Sequence, residues 1–126
     1  MKNTFFYYIS IAGLAASFWF SGLFLVRFIS SNDLWGGWSG AIIFLLSIPM
    51  AAISIRGVQA LLKLSSEQVT PAVISITSIV AMLHGVTLTY YPSLYIAQGP
   101  QLIFAGAWLV WFVGSVLFSV LLMKTT

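Results

Sequence analysis

The chain has 126 residues, 60% of them hydrophobic and 6% charged, with a net charge of +3 and no cysteine. A soluble domain carries about 25% charged residues, so these few charges cannot coat a water-facing fold, and a chain of this length holds one domain at most. The absence of cysteine excludes disulfides, thiolate catalysis and thiolate metal sites, and five basic residues scattered along the sequence make no patch for nucleic acid.

A helix crosses a hydrocarbon core of ~30 Å in about 20 apolar residues. The first such run, Phe5 to Val26, carries no charge. Ala15-Ala16-Ser17 offers a small-residue patch for signal-peptide cleavage, but apolarity continues to Val26, past the roughly 7–15 residues of a signal peptide's apolar region. The run is therefore expected to be a retained helix. Ser10, Gly13, Ser17 and Ser21 fall on one stripe, where small residues let a partner helix approach. Trp19 projects from nearly the opposite side and is expected to face lipid or a subunit contact.

Asn32-Asp33 and Gly36-Gly37 form turns in the first connection. Its Trp35 and Trp38, with Tyr90, Tyr91 and Tyr95, are expected as an aromatic belt at headgroup depth. Arg27 is expected to pair with Asp33 or to extend toward phosphate headgroups. The second helix is predicted over Trp38 to Ile55. Pro49 there cannot donate a hydrogen bond and should free the Leu45 carbonyl, bending the helix. An amphipathic extension to about residue 64 follows, with Arg56, Gln59 and Lys63 on one face and Val58, Leu61 and Leu62 on the other. The turn is placed at Ser65-Ser66-Glu67-Gln68, and the third helix, Pro71 to Tyr91, is expected to start from an N-cap at Thr70.

On this third helix Thr77, Ser78, Ala81, His84 and Gly85 share one side, expected to turn inward, while Ile76, Ile79, Leu83 and Val86 face lipid. His84 is the ionisable residue set well inside a predicted span, about 10 Å below the outer interface at about 1.5 Å per residue. Such groups are costly in lipid and often functional. One reading makes His84 a proton-responsive or ligand-contacting group. The other makes it a neutral imidazole bonded to Thr77, Ser78 or a neighbouring helix. Tyr91-Pro92 and Gly99-Pro100 bound an uncharged connection. The fourth helix, Gln101 to Met123, presents Trp108, Trp111, Ser115 and Ser119 along one side. Trp108 and Trp111 either wall a small apolar pocket beside His84 or serve as bundle packing.

Lys2, Arg56, Lys63 and Lys124 lie on one side of this arrangement and Arg27 alone on the other. The rule that basic residues stay inside then predicts an all-α polytopic bundle of four transmembrane helices with both termini cytoplasmic. No phosphate-binding lysine loop, no metal-binding His-Glu-x-x-His pair and no Ser-His-Asp set can be assembled, so no catalytic residue, cofactor ligand or metal site is assigned.

Two stretches carry a resemblance. Leu61-Leu62-Lys63-Leu64-Ser65-Ser66-Glu67-Gln68 is similar to a short Leu-Lys-Leu-x-x-Glu-Gln connector. Tyr90-Tyr91-Pro92, followed by Gly106-Ala107-Trp108-Leu109-Val110-Trp111 and Gly114, is similar to an aromatic-aromatic-Pro then Gly-Ala-Trp-Leu-x-Trp pattern. Together they resemble a family of small bacterial four-helix membrane proteins of unknown function, domain-of-unknown-function family 5367. The resemblance implies a bacterial inner-membrane location. The family pattern has an acidic residue near the end of the third helix, where His84 stands here, so any role of that acid does not carry over.

Two functions are expected from these features. The first is a non-enzymatic accessory or stress-related membrane component in the lipid bilayer, self-associating or joined to a membrane-protein partner. The alternative is an oligomeric transporter or channel for a small or lipophilic solute, with His84 and Trp108 near the path.

Overall fold

The computed structural model describes residues 4–125, with the side chains of residues 124 and 125 excepted. Lys2 and the Lys124 side chain, two of the basic groups counted above, lie outside the described residues. Four α-helices run through the described residues: α1 (Thr4–Ser31), α2 (Gly37–Leu62), α3 (Ser66–Tyr90) and α4 (Pro100–Thr125), with a 3-10 turn, η1 (Pro92–Tyr95), between the last two. Each α-helix is long and apolar enough to cross a membrane.

The helix ends explain where the predicted boundaries moved. α1 runs on to Ser31 and stops at Asp33, whose φ of 51° is left-handed. Leu34 N–H reaches Ile29 O at 3.0 Å and Asp33 N–H reaches Ser30 O at 3.1 Å, the paired bonds of a Schellman stop. α2 ends the same way at Lys63 (φ 52°), with Leu64 N–H on Gln59 O and Lys63 N–H on Ala60 O. α2 is continuous through Pro49 and Arg56 to Leu62. The expected amphipathic extension is thus the end of one helix, with Val58 buried and Leu61 exposed. α3 begins five residues before Pro71. Ser65 is its N-cap, and the Gln68 side chain accepts the Ser65 N–H at 2.9 Å, as in a capping box. The residues expected to form the turn therefore form the first turn of α3, and Thr70 is not the cap.

α1 packs on α3, α3 on α4 and α4 on α2, while α1 and α2 scarcely touch. Two cores result. One joins Ile11, Ala15, Ala51, Ile55, Ala72, Val73, Ile76, Val116 and neighbours near the α2–α3 connection. The other joins Leu23, Val26, Ile29, Trp35, Tyr95, Ala105 and Trp108 near the opposite end. Large apolar side chains remain exposed on every helix, among them Phe20 and Phe28 on α1, Ile53 on α2, Met82 on α3 and Val110 on α4.

The inward faces differ from those expected. The Gly13, Ser17 and Ser21 stripe is exposed, and Trp19 is half-buried with its ring 6.5 Å from that of His84. The reason is visible in the hydroxyls: Ser10, Ser17 and Ser21 each donate to the carbonyl four residues back, at 2.8–2.9 Å, and need no partner helix. Close approach falls instead to alanines, with Ala15, Ala51, Ala72 and Ala105 all fully buried. On α3, Ile76 is buried, whereas Ser78, Ala81 and Gly85 are exposed. The aromatic belt divides. Trp38, Tyr90 and Tyr91 are exposed, but Trp35 (3% exposed) and Tyr95 (0%) plug the end of the bundle. Trp35 donates its indole N–H to Ser30 Oγ at 2.9 Å and stacks on Phe104. Gln101 Nε2 clasps Ser30 O at 2.9 Å, tying the start of α4 to the end of α1.

Candidate functional site

Between the two cores lies a cavity of about 210 Å³ lined by all four helices. Trp108 and His84 stand at its end nearer η1, and Val58, Val73 and Val116 at the other. Val73 and His84 are 11 residues apart on α3, so the cavity extends about 16 Å along that helix at about 1.5 Å per residue. Because α1 and α2 do not close against one another, the cavity has a mouth between them. Leu25 on α1 and Met50 on α2, both exposed, also line the cavity and flank this opening.

The walls are apolar side chains with four polar exceptions: Ser21, Ser54, Thr77 and His84. Ser21 and Ser54 donate to Ser17 O and Met50 O at 2.8 Å, within their own helices. His84 is buried, with 5% of its surface exposed. Neither Thr77 nor Ser78 bonds it. Ser78 is exposed and donates to Ile74 O, and the imidazole partner is Tyr95, whose hydroxyl lies 2.7 Å from Nδ1. η1 supplies this contact: Pro92 starts the turn, Ile96 at φ 54° ends it, and Tyr95 is carried into the bundle. Burial raises the Tyr95 phenol above its usual value near 10, while the Thr87 and Trp19 side chains beside it act in the opposite sense. Trp19 Nε1 itself is buried and makes no hydrogen bond of acceptable geometry.

α1 makes room for the imidazole at Gly22. A Cβ there would stand 2.8 Å from His84 Nε2. On the far wall Trp108 donates its N–H to Ser47 Oγ at 2.8 Å, and Ser47 in turn donates to Ile43 O. Trp111 does not reach the cavity. It is exposed, and it donates to Phe44 O at 2.8 Å, in the turn that Pro49 follows. Among the described residues Arg27 makes no ion pair with Asp33; its guanidinium sits over Phe24, 5.9 Å from the ring centre.

Of the residues singled out in the sequence, His84, Thr77 and Trp108 thus share one cavity, while Ser78 and Trp111 stand outside it. Sequence reasoning missed Gly22, Phe112, Ser47 and Tyr95. The Pro-Ser-Leu-Tyr turn in an uncharged connection was the one signal that Tyr95 could fold inward. Compared with protein-family models, curated proteins and solved structures, the chain matches none.

Proposed function

We propose that the chain is a multi-pass protein of a bacterial inner membrane that takes a lipophilic small molecule into the cavity between its helices, without catalysing a reaction. The observation that carries this reading is the cavity: about 210 Å³, lined almost wholly by apolar side chains, with a mouth toward the side of the bundle. An apolar cavity of ~150 Å³ stays dry and binds benzene, so a space of this size favours an apolar guest over water. A mouth between α1 and α2 opens toward the bilayer's acyl chains rather than toward water. The apolar exterior of every helix supports insertion. The basic residues of the sequence, four against Arg27, support cytoplasmic termini and a cytoplasmic connection over residues 63–65. The resemblance to the bacterial four-helix family supports the location. Uptake of this kind serves an accessory component and equally the first step of a transporter.

The test is photo-crosslinking in phosphatidylcholine nanodiscs with an alkyl diazirine probe, followed by peptide mapping. Labelling is expected on Thr77, Val80 and Phe112, and Val113→Trp, which fills the cavity, should remove it. Labels confined to outward residues such as Ile53 and Met82, unchanged by Val113→Trp, would overturn the reading.

A further inference from the structure

His84 has one nitrogen engaged and one open. Nδ1 meets the Tyr95 hydroxyl at 2.7 Å. Nε2 has no hydrogen-bond partner among the described residues, and it lies against the bare Cα of Gly22, itself a wall of the cavity. A polar side chain only 5% exposed, with an unused ring nitrogen beside an apolar space, is what a guest with one polar atom would meet.

Which polar atom follows from the network. Thr87 gives its hydroxyl proton to Leu83 O at 2.6 Å, and among the described residues the phenol's one hydrogen bond is to His84, so no other acceptor takes the phenol proton. The Trp19 indole beside the phenol is donor-only. A phenol is a better donor than an imidazole N–H, and an imidazole nitrogen is a better acceptor than a phenol oxygen. Tyr95 therefore donates to Nδ1, which fixes the tautomer with its proton on Nε2. The cavity wall then presents an N–H donor at its η1 end. Thr77, two helical turns away on the same face, makes no hydrogen bond among the described residues and is a second, weaker polar contact.

We propose that the guest is a lipophilic molecule bearing a carbonyl-type acceptor oxygen, and that His84 Nε2–H, held in this tautomer by Tyr95, is the group that selects it. This rests on the cavity reading above and adds a chemical class to it. The occupied nitrogen contributes orientation, the open one recognition, and the apolar walls the bulk of the affinity.

The experiment uses the full chain in phosphatidylcholine nanodiscs and a matched pair of competitors, decan-2-one and undecane, against the diazirine probe. The chain contains one histidine, so ¹⁵N-histidine labelling gives a single imidazole to watch. In the wild type the ring should show the Nε2–H form. The ketone should move the Nε2–H resonance downfield and displace the probe at about fivefold lower membrane concentration than the alkane, the ratio a typical net hydrogen bond gives. His84→Leu should make the two competitors equal. Tyr95→Phe, a milder change, should mix the tautomers and narrow the ratio. Equal displacement by ketone and alkane in the wild type, or an Nδ1–H ring, would overturn the selection by His84 and leave the apolar cavity standing. Failure of both competitors to displace the probe from Thr77 and Phe112 would overturn the cavity reading and this inference together.

Discussion

Among the described residues four side chains tie separate elements together at single points: Trp108 on Ser47, Trp111 on Phe44 O, Tyr95 on His84 and Gln101 on Ser30 O. The first is the most buried, since Ser47 and Trp108 are both almost inaccessible. Ser47 accepts the indole N–H while donating to Ile43 O, so both of its roles are filled. Ser47→Ala would strand the Trp108 N–H in an apolar wall. The expected cost is roughly 1–2 kcal/mol, read as a lowered midpoint in reversible unfolding from detergent, with Ser54→Ala as a near-neutral control because Ser54 bonds only its own helix. His84 was legible as the group to examine, because an ionisable residue in an apolar run is rare enough to stand out. Its partner was not legible. Thr77, Ser78 or a neighbouring helix are the partners that sequence suggests, whereas Tyr95 arrives through a 3-10 turn that Pro92 starts. Trp19 shows the same limit from the other side. A large indole placed opposite a small-residue stripe reads as outward, yet it packs beside His84.

At the scale of the helix, length and composition located all four elements, and ends and faces were harder. Ends are decided by backbone geometry that side-chain patterns signal weakly. Asp33 and Lys63 both occupy the left-handed region that glycine fills at most Schellman stops, so neither helix stop carries the usual glycine signal. Lys63→Gly is therefore expected to raise stability by about 1 kcal/mol, measurable as a higher unfolding midpoint, because the stop is kept and the strain of a Cβ there is removed. A lower midpoint would show that the Lys63 side chain matters more than its backbone. The faces of α1 and α3 differ from expectation because serine and glycine are not the packing residues. In this bundle Ser17 and Ser21, exposed on α1, each donate to the preceding turn, and fully buried alanines make the close contacts. Alanine is common enough in apolar helices that it gives little contrast in a sequence. Ile76 is the clearest reversal, buried where lipid was expected.

The whole molecule has an uneven cross-section. Strong contacts run α1–α3–α4–α2 and leave the α1–α2 side open, so the space between the two cores is a cavity with a mouth instead of a filled centre. Neither the two-core division nor the cavity could be read from four apolar runs, because both follow from which helices fail to meet. In the proposed arrangement these helices span a bilayer and the cavity opens to its interior. Since the chain lacks cysteine, single-cysteine variants labelled in intact bacterial cells test this most directly: Ser93→Cys in the α3–α4 connection, Ser66→Cys at the start of α3, and Thr77→Cys on the cavity wall. A membrane-impermeant maleimide should label position 93 in intact cells and position 66 only after permeabilisation, while position 77 should react with an N-alkyl maleimide and resist the impermeant one. Equal labelling of positions 93 and 66 in intact cells, or ready labelling of position 77 by the impermeant reagent, would contradict the account.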